Sequence, residues 1–186
     1  VSYQMELFPE TDSGNGDCRD EDRTEQREIS KYREEIMQEV SVIIPNFNGM
    51  AYLDGVLAGL ECQTVNNFEV ILVDNGSSDG SCAFVAARYP WVHLIELPEN
   101  FGFCKAVNEG IKASRAPYVL LLNNDIEVTE NFIEEMISAI RRHPKAFSCA
   151  ARMIQFHDRD KLDDAGNYYC ALGWAYARGK GKDIHT

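Results

Sequence analysis

The stretch Tyr118-Val-Leu-Leu-Leu-Asn-Asn-Asp125-Ile-Glu-Val128 decides the fold class of this chain. Its first five residues are apolar or aromatic without a polar interruption, which predicts a strand buried on both faces of a parallel sheet covered by helices. The run stops at Asn123-Asn124-Asp125, and polar groups at the carboxyl end of a central strand lie where open α/β sheets bind ligands. One carboxylate and two amides offer the hard oxygen ligands that Mg²⁺ or Mn²⁺ prefer. A polar turn that only ends the strand would use the same residue types.

Strand patterns alternate with helix patterns along most of the chain. Further strands are predicted at residues 40–44, 68–73, 92–97 and 146–154. Helical spacing of apolar residues predicts helices over residues 50–61, from 79 towards 89, over 103–114 and over 129–142. This alternation implies right-handed crossovers, so we predict an α/β fold with a mostly parallel sheet flanked by helices. Beyond residue 155 the periodicity fades, which predicts irregular structure.

The first 39 residues differ in composition from the rest. Residues 1–40 contain twelve acids and five bases, within a chain of 186 residues with a net charge of −12. We predict an acidic linker that ends in an amphipathic helix over residues 28–39, followed by one domain over residues 40–186. The acidic balance argues against a nucleic-acid partner.

The cysteine pattern and the chain start bear on location. Six cysteines are scattered without a CxxC pair, which indicates reduced thiols or small core residues and a cytoplasmic protein. The sequence does not begin with Met, so we expect a processed chain or a fragment. It contains no signal-peptide pattern and no apolar run of about 20 residues. Membrane association, as a peripheral protein at the inner membrane face, would therefore involve parts outside this sequence.

Three successive strand ends share a polar character. They are Pro45-Asn46-Phe47-Asn48, Asp74-Asn75-Gly76-Ser77 and Asn123-Asn124-Asp125. In a parallel sheet these ends share one edge, so their side chains can converge. A buried Asp74 can accept the N3–H of uracil or thymine, amides can pair with ring carbonyls or ribose, and Asp125 can hold a divalent cation against a diphosphate. Neither a GxGxxG sequence after the first strand nor a GxxxxGK[ST] loop is present, which disfavours dinucleotide and P-loop sites.

Four ordered blocks resemble family 2 glycosyltransferases of the GT-A fold. They are Ser41-Val-Ile-Ile-Pro-Asn-Phe-Asn-Gly49, Val73-Asp-Asn-Gly-Ser-Ser-Asp-Gly80, Asn100-Phe-Gly-Phe103 with Asn108-Glu-Gly110, and Leu120-Leu-Leu-Asn-Asn-Asp-Ile126. The resemblance implies a nucleoside-diphosphate-sugar donor, a divalent metal and inversion at the anomeric carbon. By position it assigns the nucleotide-sugar site to Pro45, Asn46, Asn48, Asp74, Asn75, Asn100, Gly102 and Asn124, and the metal to Asp125. The first position of the family's Asp-x-Asp-like signature is Asn123 here, which puts direct metal binding by that residue in doubt.

Later blocks, Leu162-Asp-Asp-Ala-Gly166 and Trp174 to Gly179, resemble the rhamnosyltransferase-like branch, whose donors are often UDP- or dTDP-sugars. The implied acceptor is a glycan, a lipid-linked molecule or a protein. An inverting transferase needs a base, and we expect that base beyond Thr186, so that this chain would be truncated before the acceptor half. Two alternatives stay open: a nucleotidyltransferase, which should carry a Gly-rich basic loop after the first strand, and a non-catalytic nucleotide-sugar-binding or scaffold domain.

Overall fold

Two adjacent strands, β1 (Val40–Asn46) and β2 (Phe68–Asp74), form the centre of a four-stranded parallel sheet. The computed structural model describes residues 38–185, and within them β3 (His93–Glu96) and β4 (Tyr118–Leu121) complete the order β3-β2-β1-β4. All three strand pairings are parallel, and Asn46 and Asp74 are register partners at the carboxyl end. The predicted fold class, a mostly parallel α/β sheet, is confirmed.

Helices cover both faces of this sheet. They are α1 (Met50–Glu61), α2 (Ser81–Arg88), α3 (Phe103–Ala113) and α4 (Phe132–Arg142). The larger core joins one face of the sheet to α1, α2 and α4 through fully or nearly buried residues, among them Val42, Ile44, Leu53, Leu57, Leu72, Tyr89 and Ile133. The opposite face carries α3, whose Ala106 packs with Ile71 and Val73.

Strand β4 is less buried than its sequence predicts. Val119 and Leu121 are 42% and 50% exposed, whereas Tyr118 and Leu120 on the other face are half-buried against the larger core. The prediction of a strand buried on both faces is therefore wrong for residues 118–121. The physical reason is position, because β4 pairs only with β1 among the described strands and lies at the edge of the sheet.

The chain beyond α4 also departs from the prediction. Of the predicted fifth strand over residues 146–154, only β5 (Met153–Ile154) forms, and Phe147 is fully exposed. That segment has neither the alternation of a half-buried strand nor a neighbour in the main sheet. The predicted irregular end instead contains two small antiparallel sheets, in which β5 pairs with β6 (Leu162–Asp164) and β7 (Asn167–Tyr169) pairs with β8 (Ala175–Ala177).

The predicted linker and most of the predicted amphipathic helix lie outside the described residues. Gln38 and Glu39, the last two positions of that helix prediction, are non-helical and lead directly into β1. None of the helices within residues 38–185 is long and apolar enough to cross a membrane.

Candidate functional site

The polar ends of β1, β2 and β4 meet at one edge of the sheet, as the sequence predicts. Asn46 donates from Nδ2 to Asp74 Oδ1 at 2.8 Å, and its Oδ1 accepts from Asn124 Nδ2 at 2.8 Å. Parallel pairing places the three strand ends side by side, and these two side-chain hydrogen bonds connect them. The convergence of the loops is thus a feature of the fold, while the ligand that each residue binds stays a prediction.

Asp74 is the most enclosed carboxylate of this edge. It is 2% exposed, and besides the Asn46 amide it accepts the backbone N–H of Ser77 through Oδ2 at 2.8 Å. Each oxygen therefore accepts one of these two bonds, and the Cys82 thiol lies within hydrogen-bonding reach of the same carboxylate. A carboxylate offers about four lone-pair sites, so Asp74 keeps acceptor capacity for an N–H group of a ligand that reaches it.

Asn75 and Asn100 hold the loop over residues 97–102 against the end of β2. Asn75 donates from Nδ2 to Asn100 Oδ1 at 2.8 Å and accepts the N–H of Phe101 at 3.0 Å, and Asn100 Oδ1 also accepts the N–H of Gly102 at 2.9 Å. Gly76 has φ +76°, and a Cβ there would come within 2.7 Å of the Glu99 backbone. Both amides thus fix the loop, and Gly102, at φ +86°, directly precedes α3.

Asn48 is locked to the loop after β2 by two reciprocal hydrogen bonds. Its N–H donates to Ser77 Oγ at 2.8 Å, and its Oδ1 accepts the N–H of Ser78 at 2.9 Å. Asn48 is also the one described non-glycine residue with positive φ, at 51°, a region in which Asn is enriched. Pro45, in β1 before this turn, is half-buried.

Asp79, the position from which the sequence predicts a helix, supports the same loop. Its carboxylate accepts the hydroxyl and N–H of Ser81 at the start of α2, and the N–H of Met50 at the start of α1, at 2.9 Å from Oδ2. The Ser81 hydroxyl, and after it the Met50 N–H, lower the pKa of Asp79. The carboxylate of Asp79 therefore connects the first turns of α1 and α2.

The predicted metal ligand, Asp125, is exposed in the loop after β4. Asn123 is exposed as well, and Asn124 is half-buried with its Nδ2 bound to Asn46. Within residues 38–185, no group of three or more His, Cys, Asp or Glu side chains could hold a metal ion together. One carboxylate beside amide oxygens still fits Mg²⁺ or Mn²⁺, because such ions are often bound through one or two carboxylates plus substrate phosphates and water.

Three aromatic side chains that the sequence analysis did not assign lie in these loops or at the start of the helix that follows them. Phe47 is 48% exposed after β1, and Phe101 and Phe103 are 46% and 58% exposed around Gly102. Exposed aromatic rings beside buried polar groups suit the flat face of a base or a sugar. The signal in the sequence was their place directly beside the polar loop residues.

Cys82 is a half-buried thiol close to Asp74. Burial, and after it the hydrogen bonds of the thiol to the carboxylates of Asp74 and Glu96 and their negative charges, raise the pKa of Cys82 to about 12. The raised pKa favours the protonated thiol of Cys82 at neutral pH.

The acidic pair in β6 has structural partners. Asp163 lies 3.4 Å from Lys180 Nζ, and Asp164 accepts the N–H of Gly166 at 2.8 Å. In the hairpin that follows, the rings of Tyr168 and Tyr176 pair across β7 and β8 with centroids 5.5 Å apart, and Trp174 in the connecting loop is 63% exposed. We assign a catalytic role to none of these residues.

Comparison with known proteins gives a consistent result. Residues 41–184 match the family model described as glycosyl transferase family 2. The chain is 30% identical to glycosyltransferase GlyG of Streptococcus pneumoniae serotype 4, over 70% of this chain and 42% of GlyG. Among solved structures, TarS of S. aureus in complex with UDP-GlcNAc is 26% identical, with a TM-score of 0.53, over 57% of this chain and 32% of that one.

A second structure, mannosyltransferase PcManGT from Pyrobaculum calidifontis in complex with GDP-Man and Mn²⁺, is 22% identical. Its TM-score is 0.53, over 56% of this chain and 32% of that one, and this likeness concerns the fold. The chain thus spans less than half the length of these three proteins. Because the family model covers most of the chain and the sheet is of the GT-A type, the protein belongs to glycosyl transferase family 2.

Proposed function

We propose that this domain binds the donor of an inverting glycosyltransferase, which moves a sugar from a nucleoside-diphosphate-sugar to a glycan, lipid-linked or protein acceptor. The observation that supports this most is the hydrogen-bonded chain Asp74–Asn46–Asn124, which joins three strand ends beside Asp125. This chain of hydrogen bonds supports the proposal because the buried carboxylate of Asp74 and the exposed carboxylate of Asp125 lie at the same edge of the sheet. UDP- and dTDP-sugars are the favoured donors, in line with the resemblance to the rhamnosyltransferase-like branch.

The donor base is read by Asp74 and stacked by an aromatic ring. The remaining lone pairs of Asp74 accept the N3–H of uracil or thymine, while the amides at Asn46 and Asn75 keep the surrounding loops in place. The exposed rings of Phe47 and Phe101 are available to the flat face of the base. These roles agree with the burial of Asp74 and with the exposure of the Phe47 and Phe101 rings.

In the transfer step the acceptor oxygen forms a bond to the anomeric carbon from the face opposite the diphosphate. The bond between that carbon and the diphosphate oxygen breaks, and the nucleoside diphosphate leaves with the electron pair. The proton of the acceptor hydroxyl passes to a carboxylate base. None of the residues named above is assigned this role, and we expect the base beyond Thr186. A divalent cation held by Asp125, with Asn124 beside it, would neutralise charge on the departing diphosphate.

The cysteines of the chain bear on its location. Exposed free thiols at Cys62, Cys104 and Cys149 fit a reducing compartment. We therefore place the protein on the cytoplasmic side, with any attachment to the inner membrane face made by other parts of a longer protein. Polysaccharide or cell-wall synthesis is the proposed process.

A second candidate function is a nucleotide-sugar-binding domain without catalysis. The observation that favours it is Asn123, an amide where the family signature begins with Asp, which leaves Asp125 as the one carboxylate of Asn123-Asn124-Asp125. Such a domain would bind the nucleotide through Asp74 without a metal.

Calorimetric titration of the 186-residue chain with UDP, dTDP and GDP, each with and without Mn²⁺, tests the proposal. Asp125→Asn removes the charge of the proposed metal ligand. Glu127→Gln is its matched control, because Glu127 is an exposed carboxylate two residues later that pairs with Arg159 at 2.8 Å. Asp74→Asn replaces the proposed base acceptor by an amide.

We expect Mn²⁺-dependent binding of UDP or dTDP that is lost in Asp125→Asn, retained in Glu127→Gln and weakened about tenfold or more in Asp74→Asn. Nucleotide binding that ignores Mn²⁺ and Asp125→Asn would favour the non-catalytic domain. A folded chain that binds none of the three nucleotides would refute a donor site in these residues.

A further inference from the structure

The side chain of Asn46 connects two loops of the site through its hydrogen bonds with Asp74 and Asn124, and these three side chains form a polar relay. Asn46 is 1% exposed, and its amide group donates towards the end of β2 and accepts from the loop after β4. A carboxylate only accepts hydrogen bonds, so Asp74 must face the NH₂ group of Asn46. This orientation leaves Oδ1 of Asn46 for the other side, where only a donor can bind it. The charge of Asp74 therefore sets the orientation of a second amide, that of Asn124.

The relay determines which atom of Asn124 stays available. Because Nδ2 of Asn124 is bound to Asn46 at 2.8 Å, this hydrogen bond leaves its carbonyl oxygen unused. An oxygen is the atom that a hard cation or a ribose hydroxyl can use, whereas an NH₂ group would repel a cation. The orientation of Asn124 thus matters for the proposed metal and donor site beside Asp125.

Gly49 provides an independent sign that this pair is tightly fitted. A Cβ at Gly49 would overlap Asn124 Nδ2 and Asn46 Oδ1, the two atoms that share the hydrogen bond. The backbone at Gly49 has φ −103° and ψ 20°, so no positive φ calls for glycine at this position. A side chain at Gly49 would instead displace the amide pair, whose atoms occupy the space that a Cβ would need.

We propose that Asn46 is a positioning residue that couples the base-reading carboxylate Asp74 to the metal loop by fixing the amide of Asn124. This inference rests on the proposed donor function. Asn46 itself need not touch the nucleotide, because its buried amide uses Nδ2 and Oδ1 for protein partners. Loss of the relay should weaken Mn²⁺-dependent binding while leaving Asp74 and its Ser77 contact in place.

Two variants break the relay in different ways. Gly49→Ala pushes the amide pair apart without removing a polar group, and Asn46→Ser shortens the relay so that it no longer spans both partners. Gly55→Ala is the control, since Gly55 lies within α1 and a Cβ there would meet nothing within 4 Å. Far-UV circular dichroism establishes that each variant is folded before it is compared.

Two measurements on these variants separate the inference from the proposed function. The first is the solvent exchange of the side-chain NH₂ of Asn124, followed by NMR on the chain without ligand. The second is calorimetric titration with UDP, with and without Mn²⁺. The first needs no ligand, so it decides whether the relay fixes Asn124 even if the wild-type chain binds no nucleotide.

We expect the Asn124 NH₂ to exchange faster in Gly49→Ala and Asn46→Ser, and Mn²⁺-dependent UDP affinity to fall about tenfold in both, while Gly55→Ala matches the wild type. Affinity for UDP without Mn²⁺ should change less than about twofold in Gly49→Ala. Unchanged exchange at Asn124 in both relay variants would overturn the inference, as would an equal loss of affinity with and without Mn²⁺. Altered exchange in a chain that binds no UDP would uphold the positioning and refute the proposed donor site.

Discussion

The substitution Gly110→Ala tests how α3 is seated on the sheet. A Cβ at Gly110 would overlap Ile43 Cγ2 and lie 3.2 Å from Val73 Cγ2. Both partners are fully buried in the central strands β1 and β2, and both are β-branched, so neither side chain can move aside easily. The added methyl group must therefore lift the helix or strain the strands.

The cost of this clash can be isolated with Gly55→Ala in α1. Each variant replaces a helix glycine by alanine, which by itself stabilises the folded chain by about 1 kcal/mol. At Gly55 nothing opposes that gain, whereas at Gly110 overpacking costs roughly 1–3 kcal/mol. Because the propensity gain is common to both, the difference in unfolding free energy between the two variants equals the overpacking cost.

Urea unfolding followed by circular dichroism measures this difference. We expect Gly110→Ala to be less stable than Gly55→Ala by about 1–3 kcal/mol, which corresponds to a Tm difference of roughly 2–10 °C for a domain of this size. Equal stability of the two variants would show that α3 does not rest on Ile43 and Val73 as described. The packing of α3 against the sheet would then have to be revised, and with it the position of the loop over residues 97–102 that leads into this helix.

Three further predictions concern single side chains. Tyr89 donates to Asp54 Oδ1 at 2.6 Å, and burial raises the pKa of Tyr89 from 10.0 to about 12. The free energy of unfolding of the wild type should therefore fall between pH 10 and 12, and it should depend less on pH in Tyr89→Phe, as urea unfolding at each pH would measure. Cys82, with its pKa raised to about 12, should react with iodoacetamide at pH 8 more slowly than exposed Cys62, as peptide mass spectrometry would resolve. Gln63→Ala should destabilise the chain by about 2–4 kcal/mol in thermal unfolding, because Gln63 bonds two backbone carbonyls and the N–H of a residue in α4.

Each of these predictions has an outcome that contradicts it. A pH dependence shared by the wild type and Tyr89→Phe would assign the alkaline loss of stability to other groups. Alkylation of Cys82 at the rate of Cys62 would contradict its burial beside carboxylates. A change below about 0.5 kcal/mol in Gln63→Ala would mean that water replaces its three hydrogen bonds at little cost.

The sequence predicted the four strands of the main sheet and the shared edge of polar loops because both depend on local pattern. Apolar runs end abruptly at Pro45 and Asp74, and parallel strands bring such ends together whatever their order. The order of the strands in the sheet cannot be predicted from any single apolar run. Residues 118–122 are as apolar as residues 40–44, yet one forms an edge strand and the other a central strand, since only pairing decides which neighbours each acquires.

The side chains that fix the site were harder to predict than the site itself. Ser77 and Asp79 accept hydrogen bonds from the backbone N–H groups of Asn48 and Met50, which lie about 30 positions earlier in the chain. Such bonds leave no periodicity or spacing in the sequence, because a hydroxyl or carboxylate can accept from any N–H that the fold brings near. The role of these two residues follows only from the way two loops lie side by side.

The amides of the site have a different role from the one their residue type suggests. Asn46, Asn75, Asn100 and Asn124 were predicted to bind the donor, and in the folded chain each of them bonds to another side chain of the same edge. Amides paired in this way, of which Asn46 and Asn75 are buried, give up part of their capacity for a ligand but hold the loops in one arrangement. In the proposed donor site, the groups left to meet a nucleotide or its metal are the spare acceptor capacity of Asp74, the carbonyl oxygen of Asn124, exposed aromatic rings and the exposed carboxylate of Asp125. If this edge binds the donor as proposed, recognition there depends less on the number of polar residues than on how the amides hold the few groups that stay available.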